Sequence, residues 1–155
     1  FEVAEPGIME RPPRPPETPL LQRPVVWRIL AVGAVLCAIA FAVYEFQRSD
    51  PNTSVATAQT AAANAIVFGQ IFLLLNCRSR RYTMFKLGVF SNRWLLLGVA
   101  LMVLAQLLFT YAPLMNRLFS TSGIGLDDWG IILGASVAFY LSVELLKRHL
   151  RLSSN

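Results

Sequence analysis

Four runs of about twenty residues, largely apolar and with their charges confined to the ends, constrain this 155-residue chain more than anything else in it. A helix rises about 1.5 Å per residue, so each run is long enough to cross the hydrocarbon core of a bilayer. A backbone that crosses there must satisfy its own hydrogen bonds. The expected fold is therefore all-α, a polytopic membrane protein with a four-transmembrane-helix bundle over residues 25–148 and spans at about 25–44, 57–76, 94–112 and 128–147. The composition agrees, with 55% hydrophobic and 15% charged residues. A net charge of +5 does not point to nucleic acid, because the basic residues punctuate the apolar runs instead of forming a stripe.

Those basic residues set the expected topology. Of the fourteen lysines and arginines, Arg11, Arg14, Arg23 and Arg28 lie at the Phe1 end, Arg78, Arg80, Arg81, Lys86 and Arg93 in the middle loop, and Lys147, Arg148 and Arg151 in the tail. Only Arg48 and Arg117 occupy the other two loops. By the positive-inside rule both termini and the middle loop are expected in the cytoplasm.

Residues 1–24 hold most of the prolines and read as a cytoplasmic proline-rich loop, with Pro24 placed to open the first helix. A PxxP ligand for an adaptor domain is the other reading of this loop, disfavoured by its closeness to the membrane. The opening at Phe1, without an initiator Met or signal-peptide layout, predicts a piece of a longer protein. Asp50-Pro51-Asn52 breaks the chain between the first two spans, Pro113 closes the third, and residues 149–155 form a cytoplasmic tail. Trp94 and Tyr111 bracket the third span as interfacial aromatics. Gly125 or a neighbour caps the fourth, with Asp127 and Asp128 in a first turn where negative charge suits the helix dipole.

Small residues recur at helix-packing spacing in three spans: Ala34, Ala38 and Ala42; Ala61, Ala65 and Gly69; and Gly130 with Gly134. Each predicts a face for close helix approach. Cys37 and Cys77 read as packing thiols, not a disulfide framework or metal motif. His149 is the sole histidine, in a basic tail where it is expected to be solvated, and no nucleophile elbow, phosphate loop or zinc motif is present. The chain is not expected to be an enzyme by itself.

Gln70 is the residue that asks for an explanation. An amide in the middle of a lipid-embedded helix must find a polar partner within protein. One reading is an interhelical hydrogen bond, with Gln106 in the third span as a partner. The other is a neutral oxygen ligand to a cation, the carboxylates of the site coming from helices outside this chain. Glu144, three and four residues before Lys147 and Arg148, reads as an intrahelical ion pair, and Glu45 and Asp50 as solvated loop acids.

Several separated motifs share a register with one family. IMERPPRPPETPLL, AQT at Ala58–Thr60, the run from Gln70 to Asn76 ending in NCRSRR, MFKLGVFSNRWLLLG, LDDW at Leu126–Trp129 and VELLK at Val143–Lys147 together resemble the C-terminal transmembrane region of P-type cation-transporting ATPases of the calcium-pump type. The resemblance covers nearly the whole chain. It implies that the four spans correspond to the family's seventh to tenth helices, supporting the ion-transporting helices of an ATP-driven pump. It implies a parent enzyme that hydrolyses ATP with Mg2+ and binds Ca2+, while this part holds no cofactor. The implied partners are the lipid bilayer and the remaining transmembrane helices and cytoplasmic domains, and not nucleic acid. It also places Gln70 where two-site calcium pumps carry a glutamate, which resembles pumps that move one calcium.

Sodium/potassium pumps are the runner-up, through FEVAE and the paired arginines after Cys77. Leu73 is apolar where they place an aspartate, and the first outer loop is far shorter than theirs. A stand-alone membrane scaffold or assembly subunit without ion chemistry is the third reading. It predicts a reading frame beginning near Phe1, whereas the pump predicts a long upstream frame with a DKTG phosphorylation motif. A small channel-forming oligomer, lined by Gln70 and Gln106, is a fourth.

Overall fold

The computed structural model describes residues 23–77 and 92–152, except for the side chains of 24, 77 and 148–152. The proline-rich loop with its PxxP motif, nearly all of the basic middle loop, and the Cys77 and His149 side chains lie outside the described residues. The described residues form five helices in order: α1 (Arg23–Arg48), α2 (Val55–Cys77), α3 (Arg93–Tyr111), the short α4 (Pro113–Phe119) and α5 (Leu126–Leu152). Four of them are long and apolar enough to cross a bilayer, over Val25–Arg48, Val55–Asn76, Arg93–Tyr111 and Leu126–Lys147. The described residues contain no strand.

Local chemistry fixes the helix ends. Ser54 caps α2, its Oγ accepting from the Thr57 amide at 3.1 Å. Asp50 holds the preceding turn, accepting from the Asn52 amide at 2.9 Å. Asn92 caps α3 by accepting from the amides of Trp94 and Leu95. At α5 the Gly125 amide donates to Asp128 Oδ2 at 2.7 Å, so the acid expected to serve the dipole also satisfies a terminal donor. Within the helices, Thr60, Thr110, Ser136 and Ser142 donate their hydroxyls to carbonyls four residues back, at 2.7–2.8 Å. Hydroxyls bonded within their own helix add no unmet polar group to an apolar surface.

The central element is α2. It packs along both α1 and α5, which touch each other more lightly, while α3 meets α2 only over a short contact. Small side chains explain its position: Ala58, Ala61, Ala65 and Gly69 are all buried, so neighbouring backbones approach closely and many weak dispersion contacts accumulate. The stripe predicted on the second span is thus a real interface. The core joins Val43, Ala61, Ala65, Ile124 and Ile132, with Phe68 and Trp129 packed against it. Those two rings meet edge to face with centroids 5.2 Å apart.

The other two stripes are not packed by the described residues. Ala34, Ala38 and Ala42 are exposed, because α1 presents Ala40, Val43 and Gln47 to the bundle instead. Gly130 and Gly134 are likewise exposed, and a Cβ built on either meets nothing within 4 Å. Ile132, Ser136, Phe139 and Val143 are the residues α5 buries. Cys37, expected to pack, is exposed as well.

Candidate functional site

Gly69 sets the environment of Gln70. A Cβ at Gly69 would lie 2.7 Å from Leu36 Cδ1 and 3.6 Å from Phe139 Cδ1, so at this level side chains of α1 and α5 close directly on the α2 backbone. The next residue is rotated by about 100° around a helix with 3.6 residues per turn, which carries Gln70 out of that contact. It lies exposed, on a strip with Ile66 and Leu74 that are 38% and 44% exposed. No described residue hydrogen-bonds to it. The amide therefore sits on a face of the central helix that α1, α3 and α5 leave open, with one oxygen acceptor and two N–H donors to offer.

The expected pairing with Gln106 does not form. Gln106 is 8% exposed, and its Nε2 is buried without a hydrogen-bond partner. The residue that joins the second and third spans is Asn64, six residues before Gln70 and on another part of the helix circumference. Its Nδ2 donates to Thr110 Oγ1 at 3.0 Å and to the Thr60 carbonyl at 2.9 Å. Both Asn64 and Thr110 are fully buried. Thr60 extends the chain of contacts by accepting from the Ser122 amide at 3.1 Å, and Ser122 Oγ meets Thr57 Oγ1 at 2.8 Å. The polar column fastens α3 and the segment before α5 onto the start of α2. The i, i+4 pair Thr60/Asn64 in an alanine-rich helix was the signal that could have found it.

A second polar cluster closes the opposite end of α2. Lys147 is 6% exposed and its ammonium donates to the Asn76 carbonyl at 2.5 Å. The Asn76 side-chain Nδ2 in turn donates to Glu144 Oε2 at 3.3 Å. Glu144 and Lys147, one turn apart on α5, each make a hydrogen bond across to α2. The last carbonyls of a helix lack intrahelical partners and carry partial negative charge, so a cation from α5 is well matched to this position. Lys147→Met is expected to lower the stability of the solubilised protein by about 2 kcal/mol, the range for a hydrogen bond to a charged group, read as a drop in thermal midpoint. Lys147→Arg should retain most of it.

At the other rim, Gln47 Nε2 donates to Asp128 Oδ1 at 2.5 Å, tying the end of α1 to the start of α5. Tyr111 donates to the Ile124 carbonyl at 3.0 Å and accepts from Trp129 Nε1 at 2.8 Å. These contacts are structural. Among the described residues no group of three or more His, Cys, Asp or Glu side chains could hold a metal ion. A cation taking Gln70 as a ligand would need its other oxygens from outside the described residues.

Comparison with known proteins places this arrangement. The sequence model of the family described as "Cation transporting ATPase, C-terminus" matches residues 1–149. The chain is 39% identical over 143 residues, 92% of its length, to the "Probable cation-transporting ATPase F" of Mycobacterium tuberculosis. It is 31% identical over 150 residues, 97% of its length, to "Calcium-transporting ATPase 1" of Schizosaccharomyces pombe. It is 29% identical over 146 residues, 94% of its length, to "Calcium-transporting ATPase type 2C member 2" of Rattus norvegicus. The matched part is 16%, 17% and 16% of those three proteins. With four membrane-length helices, no strand among the described residues and a family match over nearly its whole length, the chain belongs to the cation-transporting ATPase C-terminus family.

Proposed function

We propose that this chain is the membrane-anchoring support bundle of an ATP-driven P-type cation pump whose transported ion is calcium, and that Gln70 lends its side-chain oxygen to an ion site. The remaining transmembrane helices of the pump supply the carboxylates of that site, and the parent's cytoplasmic domains use ATP and Mg2+. Both termini and the middle loop lie on the cytoplasmic side of the bilayer, following the distribution of lysine and arginine.

The observation that carries this reading is the position of Gln70. Asn64 and Asn76 donate their side-chain N–H groups to partners within the bundle, and Gln106 is buried in it. Gln70 alone among the mid-span amides is turned to an open face, where bare lipid would leave it unsatisfied. The chain is about one sixth of the length of its relatives, two of which are named as calcium transporters, so further helices and carboxylate oxygens are available to meet it. A hard cation accepts neutral amide oxygens beside carboxylates.

The test is ATP-dependent uptake of radiolabelled calcium, and in parallel of sodium, by the full-length protein in sealed vesicles. Calcium uptake without sodium uptake is expected. ATP-driven sodium uptake without calcium would replace the ion, and uptake of neither would return the chain to a scaffold role.

A further inference from the structure

The short helix α4 leaves its large apolar side chains exposed, the reverse of a helix packed in water. Leu114, Leu118 and Phe119 are 69%, 68% and 55% exposed. Met115 and Asn116 are half-buried, Asn116 accepts at Oδ1 from the Thr121 hydroxyl at 3.1 Å, and Ser122, just beyond, is bonded to Thr57 and Thr60 of α2. Leu114 and Leu118 are four residues apart and share a face, and the exposed Arg117 stands one turn on from Leu114 on the same side.

Its place in the fold is equally specific. The chain leaves α3 at Tyr111, turns at the extended Ala112, and starts α4 at Pro113. Ser120 ends it in the left-handed conformation, at φ 52°. Phe119 folds back to put its ring 5.4 Å from that of Phe109 in α3. α4 thus lies where a membrane-length helix ends, beside the hydrogen-bonded Tyr111–Trp129 pair, whose amphipathic rings suit the boundary between hydrocarbon and headgroups. The exposed leucines of α3, Leu104 and Leu108, lead directly up to it.

We propose that α4 is an interfacial anchor whose partner is the phospholipid leaflet. Leu114, Leu118 and Phe119 enter the acyl-chain boundary, and Arg117 reaches the lipid phosphates. Burial of leucine and phenylalanine in the leaflet removes their apolar surface from water, and a guanidinium matches phosphate in charge and in its fork of donors. The anchor helps to set the depth of the third span, which among the described residues meets α2 only over a short interface. The inference rests on the bilayer part of the proposed function and is independent of the ion.

It is tested by nitroxide labels on Leu114→Cys and Leu118→Cys of the full-length protein, freed of its own reactive cysteines and reconstituted in phosphatidylcholine and phosphatidylglycerol vesicles. Collision with dissolved oxygen and with a water-soluble nickel chelate is compared against Leu101→Cys, on the exposed side of α3, and Asn52→Cys, in the loop. The labels on α4 are expected to favour oxygen severalfold over the chelate, approaching Leu101 and far from Asn52. Preference for the chelate at both α4 sites would place the helix in water, and protection from both reagents would mean that another part of the protein covers it. Either result overturns the proposal. If Leu101 also prefers the chelate, the bilayer reading of α3 fails with it, whereas a lipid-facing Leu101 confines the failure to α4.

Discussion

Asn64→Asp is expected to destabilise the bundle by about 3 kcal/mol, in line with the cost of an acidic side chain at the centre of a membrane helix. The exchange replaces one nitrogen by oxygen at a site with no solvent exposure. That nitrogen donates to both the Thr60 carbonyl and Thr110 Oγ1, so the variant loses two donors and sets a carboxylate against a carbonyl oxygen. Asn64→Leu is expected to cost about 1 kcal/mol, near the usual worth of a hydrogen bond between membrane helices. Thr110 keeps its bond to the Gln106 carbonyl in that variant and is not left unsatisfied. Thermal midpoints of the solubilised full-length protein provide the comparison. Equal losses for the two variants would remove the polar column as the fastening of α3.

Gly69→Val is the second large effect. A single added carbon at Gly69 already falls 2.7 Å from Leu36 Cδ1, and the valine methyls extend it toward Leu36 and Phe139. Alanine is expected to cost under about 1 kcal/mol, because the end of the Leu36 side chain can move aside, whereas valine should cost about 3 kcal/mol through overpacking. Transport should suffer beyond the stability loss, since relief of the clash turns α2 and with it Gln70. The check is thermal midpoint together with ATP-dependent uptake per folded molecule. A valine variant as stable as the alanine one would show that the three helices do not close on Gly69.

The contrast between small-residue stripes shows what a sequence of this type encodes. The four long helices were legible because length and apolarity alone decide them. Ala61, Ala65 and Gly69 read the same as Ala34, Ala38 and Ala42 or Gly130 and Gly134, yet only the first set is buried within the bundle. Spacing gives a helix the capacity for close approach without naming the neighbour, and α2 received two neighbours because its small residues cover a wide arc, including Ala58. For the same reason Gln106 was a plausible partner of Gln70 on composition and a wrong one in space. The rotation of α2 is fixed by Gly69 against α1 and α5, and Asn64, not Gln70, falls toward α3. Glu144 and Lys147 read as neighbours on one helix, but nothing in their spacing reveals that both also bond to Asn76 of another helix. Interhelical polar contacts depend on rotation and depth, which the chain fixes only through packing.

Gln70 carries the central claim, and the most direct measurement is ATP-dependent calcium uptake by the full-length protein in vesicles, wild type against Gln70→Ala. Gly69 and the buried face of α2 are untouched by this change, so the variant is expected to fold and to reach the membrane at the same level. The account predicts a fall in apparent calcium affinity of roughly tenfold, equivalent to about 1.4 kcal/mol for the lost ligand. Unchanged affinity and unchanged calcium transported per ATP would contradict it and leave Gln70 as a packing contact with the rest of the pump.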